Sequence, residues 1–261
     1  GAFNVLHLET AEALVAAAVQ VDLPVILQIS ENCVKFHGSL TPIAAATLAV
    51  ARESTAEVAV HLDHAEDPEL ALAAIELGFT SVMYDGAKLD YSENVRETAR
   101  VVRAAHAAGV YVEAELGEIG GKDGAHAPGV RTDPREAAHS VAESGDDALA
   151  VAVGSSHAMT ERTASLDLDL ITEIHRALEV PLVLHGSSGV PDATIQAGIE
   201  AGLTKINVST YLNTQFTAAI HEFFDANPNV VDSRKYLGAG RNALRDGAAN
   251  LLRLFALKER A

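Results

Sequence analysis

Short apolar, β-branched stretches alternate along the chain with longer Ala-rich stretches of helical period. The first kind reads as strands at "AFNV" (2–5), "PVILQI" (24–29), "EVAVHL" (57–62), "TSVMY" (80–84), "VYVEAE" (110–115), "ALAVAVG" (148–154), "PLVLH" (181–185) and "TKINV" (204–208). The second kind, such as "ETAEALVAAAVQ", "DPELALAAIELG", "ENVRETARVVRAAHAAG" and "DATIQAGIEAG", reads as helices between them. Gly78, Gly109 and Gly202 stand at helix ends just before the next strand, where a left-handed residue closes a helix. Near-continuous apolar strands separated by helices predict a parallel sheet with a helical coat. Eight such units in about 250 residues are the size of a (β/α)8 TIM barrel. We therefore expect one α/β barrel domain over residues 1–261, with 230–261 as a C-terminal helical arm. An open doubly wound sheet is weaker, because no glycine-rich dinucleotide turn follows the first strand.

Composition narrows the classes. A chain of 261 residues with 48% hydrophobic residues can build a sizeable core. No apolar run approaches the roughly 18 residues of a membrane span, and the start lacks the basic residues of a signal peptide. Cys33 is the single cysteine, so no internal disulfide or thiolate metal cage can form, and a reducing, cytoplasmic setting is expected. A net charge of −17 argues against nucleic acid or an anionic membrane as partner. A small phosphorylated ligand is still compatible, since backbone N–H groups and helix N-termini can hold it locally.

In such a barrel chemistry sits at the carboxyl ends of the strands. Strand three leads into Asp63 and His64, strand four into Asp85, strand five ends at Glu115, and strand six leads to His157. Strand seven ends in His185. His64, His157 and His185 come from three converging strands, which is the ligand set of a catalytic zinc with an open position. Neighbouring strand side chains point to opposite faces, so Asp63 reads as an acid–base group beside the metal. His61 lies inside its strand and reads as a hydrogen-bonded core histidine. His7, His37, His106, His139, His175 and His221 read as helix or loop surface positions. After strand seven, "HGSSGVPDAT" brings Gly186, Ser187 and Ser188 ahead of a helix. Strand eight ends in "NVST", which brings Asn207, Val208, Ser209 and Thr210 ahead of another. Backbone N–H groups and hydroxyls at two adjacent helix starts form a phosphate cradle; plain N-capping is the alternative. The stretch "GEIGGKDGAHAPGVRTDP" (117–134) has no periodicity and is long for a structureless loop, so it reads as a functional loop.

"AFNV", "HLDHAED", "SVMYDGAKLDYSENV", "VEAELGEIGG", "AVAVGSSHAM", "PLVLHGSSGV", "KINVSTYLN" and "DSRKYL" together resemble, in order and from end to end, the class II, metal-dependent ketose-bisphosphate aldolases. The resemblance implies reversible cleavage of a ketose 1,6-bisphosphate, fructose-1,6-bisphosphate first, to dihydroxyacetone phosphate and glyceraldehyde 3-phosphate through a zinc-stabilised enediolate. It implies zinc on His64, His157 and His185, with Asp63 as the proton-transfer group. It further implies Asp85 and Glu115 at a second or alternate metal position, and Ser30 at the far end of the sugar. Arg234 would reach a neighbouring subunit and grip the distal phosphate, which calls for a homodimer or homotetramer. A monovalent cation, Na⁺ or K⁺, is expected near the phosphate. The family also carries about twenty residues ahead of "AFNV".

The chain departs from the family pattern at several points. Ser209 stands where the fructose group has Asp, "GGKDG" offers Asp123 where a Glu is usual, Ala158 replaces a Gly, and Ser233 replaces a Pro. Either Asp123 or Glu118 would then protonate the enediolate after loop closure. Tagatose-1,6-bisphosphate and 6-phospho-5-dehydro-2-deoxygluconate are the alternative substrates. A Schiff-base mechanism on Lys205 leaves the three histidines unexplained. A zinc hydrolase lacks its usual His-x-His on strand one. A non-catalytic sugar-phosphate-binding subunit is the remaining rival.

Overall fold

The computed structural model describes residues 1–116, 131–156 and 159–257. Eight parallel strands close into a barrel in sequence order. They are β1 (Ala2–Asn4), β2 (Val25–Ser30), β3 (Val58–Ala65), β4 (Ser81–Tyr84), β5 (Tyr111–Glu115), β6 (Ala148–Ala150), β7 (Leu182–Leu184) and β8 (Leu203–Val208). Helices α1 (Leu8–Val21), α2 (Glu31–His37), α3 (Leu40–Glu53), α4 (Pro68–Leu77) and α5 (Tyr91–Ala107) cover the first half. Helices α6 (Pro134–Ser144), α7 (Leu168–Ala177), α8 (Asp192–Ala201), α9 (Thr210–Ala226) and α10 (Ser233–Phe255) cover the second. The predicted eight-stranded parallel barrel is the fold observed.

Local signals set the boundaries. Helix α4 starts with Asp67, whose side chain accepts from the Glu69 N–H, followed by Pro68 at a position that needs no N–H donor. Gly78, Gly109 and Gly202 all take positive φ, as the helix-closing reading requires. Strands β6 and β7 are shorter than their apolar runs; the Val151 N–H still donates to the Val183 carbonyl, and Val151 and Val153 remain buried beyond β6. Gly154 sits at φ +118, and a methyl there would collide with the Ser165 carbonyl, so only glycine fits. The expected C-terminal arm contains α10, which packs along α1 and α9 and brings Phe255 to 6.2 Å from Phe3.

Two environments make up the interior. The large apolar core lies between the sheet and the helices, with Leu14, Leu27, Leu62, Val82, Leu149, Ile171 and Leu184 among its buried members. A small separate apolar cluster of Met83, Ala150 and Val183 lies among the strands on the lumen side. Polar groups share the lumen: Gln28 lies beside His61 in register, and His61 beside Ser81. Glu113 and Lys205 complete it from β5 and β8.

Candidate active site

The end of β3 explains how neighbours in sequence can serve one site. Between Leu62 and Ala65 the register against β4 shifts. There His64 takes φ +49, a left-handed conformation uncommon for residues other than glycine. The bulge breaks the alternation of faces. Asp63, His64 and His185 then offer ligand atoms within 4.8 Å of one another. Strict alternation would have kept Asp63 and His64 apart. Strain of this sort costs on the order of 1 kcal/mol or more and clusters at functional sites.

His64 and His185 face each other edge to face, with His185 Nδ1 2.8 Å from His64 Nε2. Each ring's other nitrogen meets a carboxylate. His64 Nδ1 lies 2.8 Å from Asp85 Oδ2, and His185 Nε2 lies 2.8 Å from Glu113 Oε1. A ring nitrogen that donates to a carboxylate leaves a lone pair on the opposite nitrogen. Two such lone pairs at this separation need a proton or a metal cation between them. This carboxylate–imidazole pattern is how metal-binding histidines are held. Charge points the same way. Burial alone would lower the His64 imidazole, but Asp63, Asp85 and Glu115 outweigh it and push it up to about 10. Burial raises the Asp63 carboxyl above its ordinary range despite His64 and Lys205 nearby. The donor set therefore fits a divalent cation. His64, Asp85 and Glu115 form a second group able to hold one.

A cavity of about 530 Å³ opens at this mouth. Of the residues read as substrate-binding, Ser30, Gly186, Ser187, Ser188, Asn207, Ser209 and Thr210 line it, together with Asp63, His64 and His185. Gly186 adopts φ +65 and leads into a short 3₁₀ turn over Ser187–Gly189. Ser187 donates to the Asn207 carbonyl (2.5 Å), and the Tyr211 N–H donates to Ser188 Oγ (3.1 Å), so the two loops are tied together. Ser209 precedes α9 without capping it through its side chain. Ser30 does cap α2, accepting from the Cys33 N–H. Val208 places its side chain in the core, which leaves its backbone as the part able to meet a ligand. Arg234 lies at the start of α10, 89% exposed and paired with Asp232 of its own turn, away from this chain's cavity.

His157, Asp123 and Glu118 lie outside the described residues. Other cavity residues did not come out of the sequence reading. Asn4, Gln28, Asn32, Cys33 and Phe36 line the cavity, as does His7, which had read as a surface position. Gln28 Oε1 and Asn207 Oδ1 are buried there with no hydrogen-bond partner among the described residues. Glu113 is the largest omission. Its signal was present: two acids, Glu113 and Glu115, at i and i+2 inside an apolar strand must share the lumen face. His61 is buried, with Nδ1 2.8 Å from Ser81 Oγ, as read. Lys205 does not line the cavity; its ammonium donates to Glu113 Oε2 at 2.6 Å.

A parallel eight-stranded barrel with acids and imidazoles at its carboxyl mouth has the architecture of a barrel enzyme. The profile described as fructose-bisphosphate aldolase class-II matches residues 1–260. A fructose-bisphosphate aldolase of Geobacillus stearothermophilus is 40% identical over 265 residues, spanning 100% of this chain and 92% of that one. A sulfofructosephosphate aldolase of Alkalicoccus urumqiensis is 36% identical, over 100% and 92% of the two chains. The crystal structure of the YdjI aldolase from Escherichia coli K12 superimposes with a TM-score of 0.84 at 31% identity, covering 97% and 90%. The chain belongs to the class II fructose-bisphosphate aldolase family and is an aldolase, a carbon–carbon lyase.

Proposed function

We propose that this aldolase cleaves fructose-1,6-bisphosphate to dihydroxyacetone phosphate and glyceraldehyde 3-phosphate with one zinc ion. The observation that carries the metal reading is the His64–His185 nitrogen pair at 2.8 Å, each ring backed by a carboxylate. His64, His185 and His157 would hold the zinc, with Asp85 and Glu115 beside His64 as an alternate position. A bound zinc supplies a Lewis acid for the charge that develops on the ketone oxygen. The work of the chain's own groups follows. Asp63, buried at the mouth with its carboxyl pushed up by burial, takes the proton of the hydroxyl on the cleavage side. The carbon–carbon bond then breaks, the aldehyde forms, and the electron pair stays on the ketose fragment. Asp123 returns a proton to that fragment. Gly186, Ser187, Ser188, Asn207, Val208, Ser209 and Thr210 hold its phosphate, near a Na⁺ or K⁺ ion. Ser30 meets the far end of the sugar. Arg234 of a neighbouring copy grips the distal phosphate in a homodimer or homotetramer. The cell compartment is the cytoplasm, consistent with one free cysteine.

The carbon skeleton and both phosphates are shared with tagatose-1,6-bisphosphate. A relative is named for a sulfonated sugar phosphate, which adds that sugar to the substrates worth testing. The test is therefore a coupled triose-phosphate assay on the three sugars in parallel, with and without EDTA and with zinc restored. We expect fructose-1,6-bisphosphate to be cleaved fastest, with activity lost to EDTA and regained with zinc. EDTA-resistant cleavage would overturn the metal mechanism, and a faster sulfonated or tagatose substrate would overturn the substrate.

A further inference from the structure

Beneath the histidine pair a continuous polar chain crosses the barrel. Ser81 Oγ on β4 meets His61 Nδ1 on β3 at 2.8 Å, and His61 Nε2 lies 3.5 Å from Lys205 Nζ on β8. Lys205 donates to Glu113 Oε2 on β5 at 2.6 Å, and Glu113 Oε1 meets His185 Nε2 at 2.8 Å. Strands β8 and β5 are not neighbours, so the Lys205–Glu113 pair spans the lumen. Glu113 is 3% and Lys205 11% exposed at the side chain. A buried ion pair of this kind is poor evidence for stability, because desolvating both charges offsets their attraction. Apolar residues of similar volume would fill a lumen as well, as Met83, Ala150 and Val183 do nearby. The pair's position indicates a different use. Among the described residues Glu113 Oε1 is hydrogen-bonded to His185 and Oε2 to Lys205, with His61 Nε2 3.7 Å from Oε2, so the carboxylate cannot turn without losing either Lys205 or His185. The His185 ring is held on the other side by the Asn207 amide, whose Nδ2 lies 3.1 Å from its Nε2 and 3.3 Å from its Nδ1.

We infer that Glu113 and Lys205 are coupled positioning residues: Lys205 fixes the Glu113 carboxylate, and Glu113 fixes the His185 ring with Nδ1 turned toward the metal. This rests on the zinc reading above. The pair touches no substrate, so its effect is on how tightly and in what geometry the ion is held. A carboxylate behind a metal-binding histidine is worth about 10–100-fold in metal affinity.

The test measures zinc Kd by chelator competition on the full chain, with Co²⁺ visible spectra as a reading of ligand geometry. Thermal melts of the metal-free proteins accompany both. We expect Glu113→Gln to weaken zinc about 10–100-fold and to alter the Co²⁺ bands. Lys205→Met should weaken it in the same direction, and the double variant should be no worse than Glu113→Gln alone. Lys205→Arg should restore most of the affinity, which a mere loss of packing would not predict. Zinc Kd within twofold of wild type in Glu113→Gln would overturn the inference, as would additive losses in the double variant. Should Glu113→Gln not fold, Lys205→Met and Lys205→Arg carry the same test: unchanged affinity in Lys205→Met overturns it. A wild-type chain that fails to bind zinc would overturn the metal reading itself, a distinct result.

Discussion

Asp146, just ahead of β6, is a buried carboxylate that does not line the cavity, and it makes a quantitative prediction. The residue is 3% exposed. Ser144 donates to Oδ1 at 2.5 Å, while Oδ2 has no partner among the described residues. Burial raises its pKa from 3.8 to about 6, outweighing the lowering by Ser144. The folded state thus prefers the protonated form. The contribution is fully present below pH 4 and is lost as pH rises through 6. A shift of this size is worth about 3 kcal/mol when complete, and about 2 kcal/mol between pH 4 and pH 8. Asp146→Asn keeps the shape and removes the charge, at the cost of an amide N–H₂ left without an acceptor, about 1 kcal/mol or more. The variant should therefore be about 1–2 kcal/mol more stable than wild type at pH 8 and slightly less stable at pH 4. In a chain of this length that is a gain of about 2–8 °C in Tm at pH 8 that changes sign toward pH 4. Parallel melts of both proteins across this range read the difference, since titrating groups not coupled to Asp146 cancel. A Tm difference that is flat with pH, or a variant less stable at pH 8, would refute the reasoning.

Three further substitutions test the site and its supports. Asp63→Asn should lower kcat about 10²–10⁴-fold while leaving zinc content unchanged, as metal analysis beside steady-state rates would show; equal losses of both would make Asp63 a ligand instead. Arg162 donates to the Val190 carbonyl and pairs with Asp192 at 2.6 Å, with its guanidinium 5.1 Å from the Tyr211 ring centre. Arg162→Met should cost about 1.5–3 kcal/mol in a melt and raise KM, because it unties the loop after β6 from the two loops that form the cradle. Gly154→Ala should lower Tm and weaken zinc together, since the displaced loop carries Ser155, whose hydroxyl donates to the His185 carbonyl at 2.6 Å; a variant with wild-type metal affinity would show that the tie is dispensable.

The barrel was legible because strand and helix periods differ and the strands, buried on both faces, read as continuous apolar runs. The carboxyl-end rule then picked out Asp63, His64, Asp85, Glu115 and His185 without any knowledge of distances. Two things were out of reach. The strand period says that Asp63 and His64 point apart, and the bulge that reunites them depends on how β3 registers against β4. Cavity residues such as Asn4, Gln28 and Phe36 come from β1, β2 and α2, whose sequences read as ordinary strand and helix. They line the site because the barrel closes β1 against β8, a contact between residues some two hundred apart in the chain.

The division of the interior explains how this chain can carry so many buried charges at its centre. The apolar residues that close the barrel against its helices form one large core outside the sheet. The lumen contributes little to that core; Met83, Ala150 and Val183 form a small apolar cluster of their own. Polar groups in the lumen therefore replace a small amount of apolar packing, and His61, Glu113 and Lys205 are paired with groups from other strands. His61 shows the consequence. Burial and the Lys205 charge hold its imidazole well below the ordinary range, so it stays neutral and bridges Ser81 and Lys205 without adding a second cation. The outer core fixes the positions of the strands, and the strands fix the polar chain. That chain in turn orients His185 from below, while Asp85 orients His64 from the side. Substitutions in the outer core should therefore act on stability first, and substitutions in the lumen on the metal centre first.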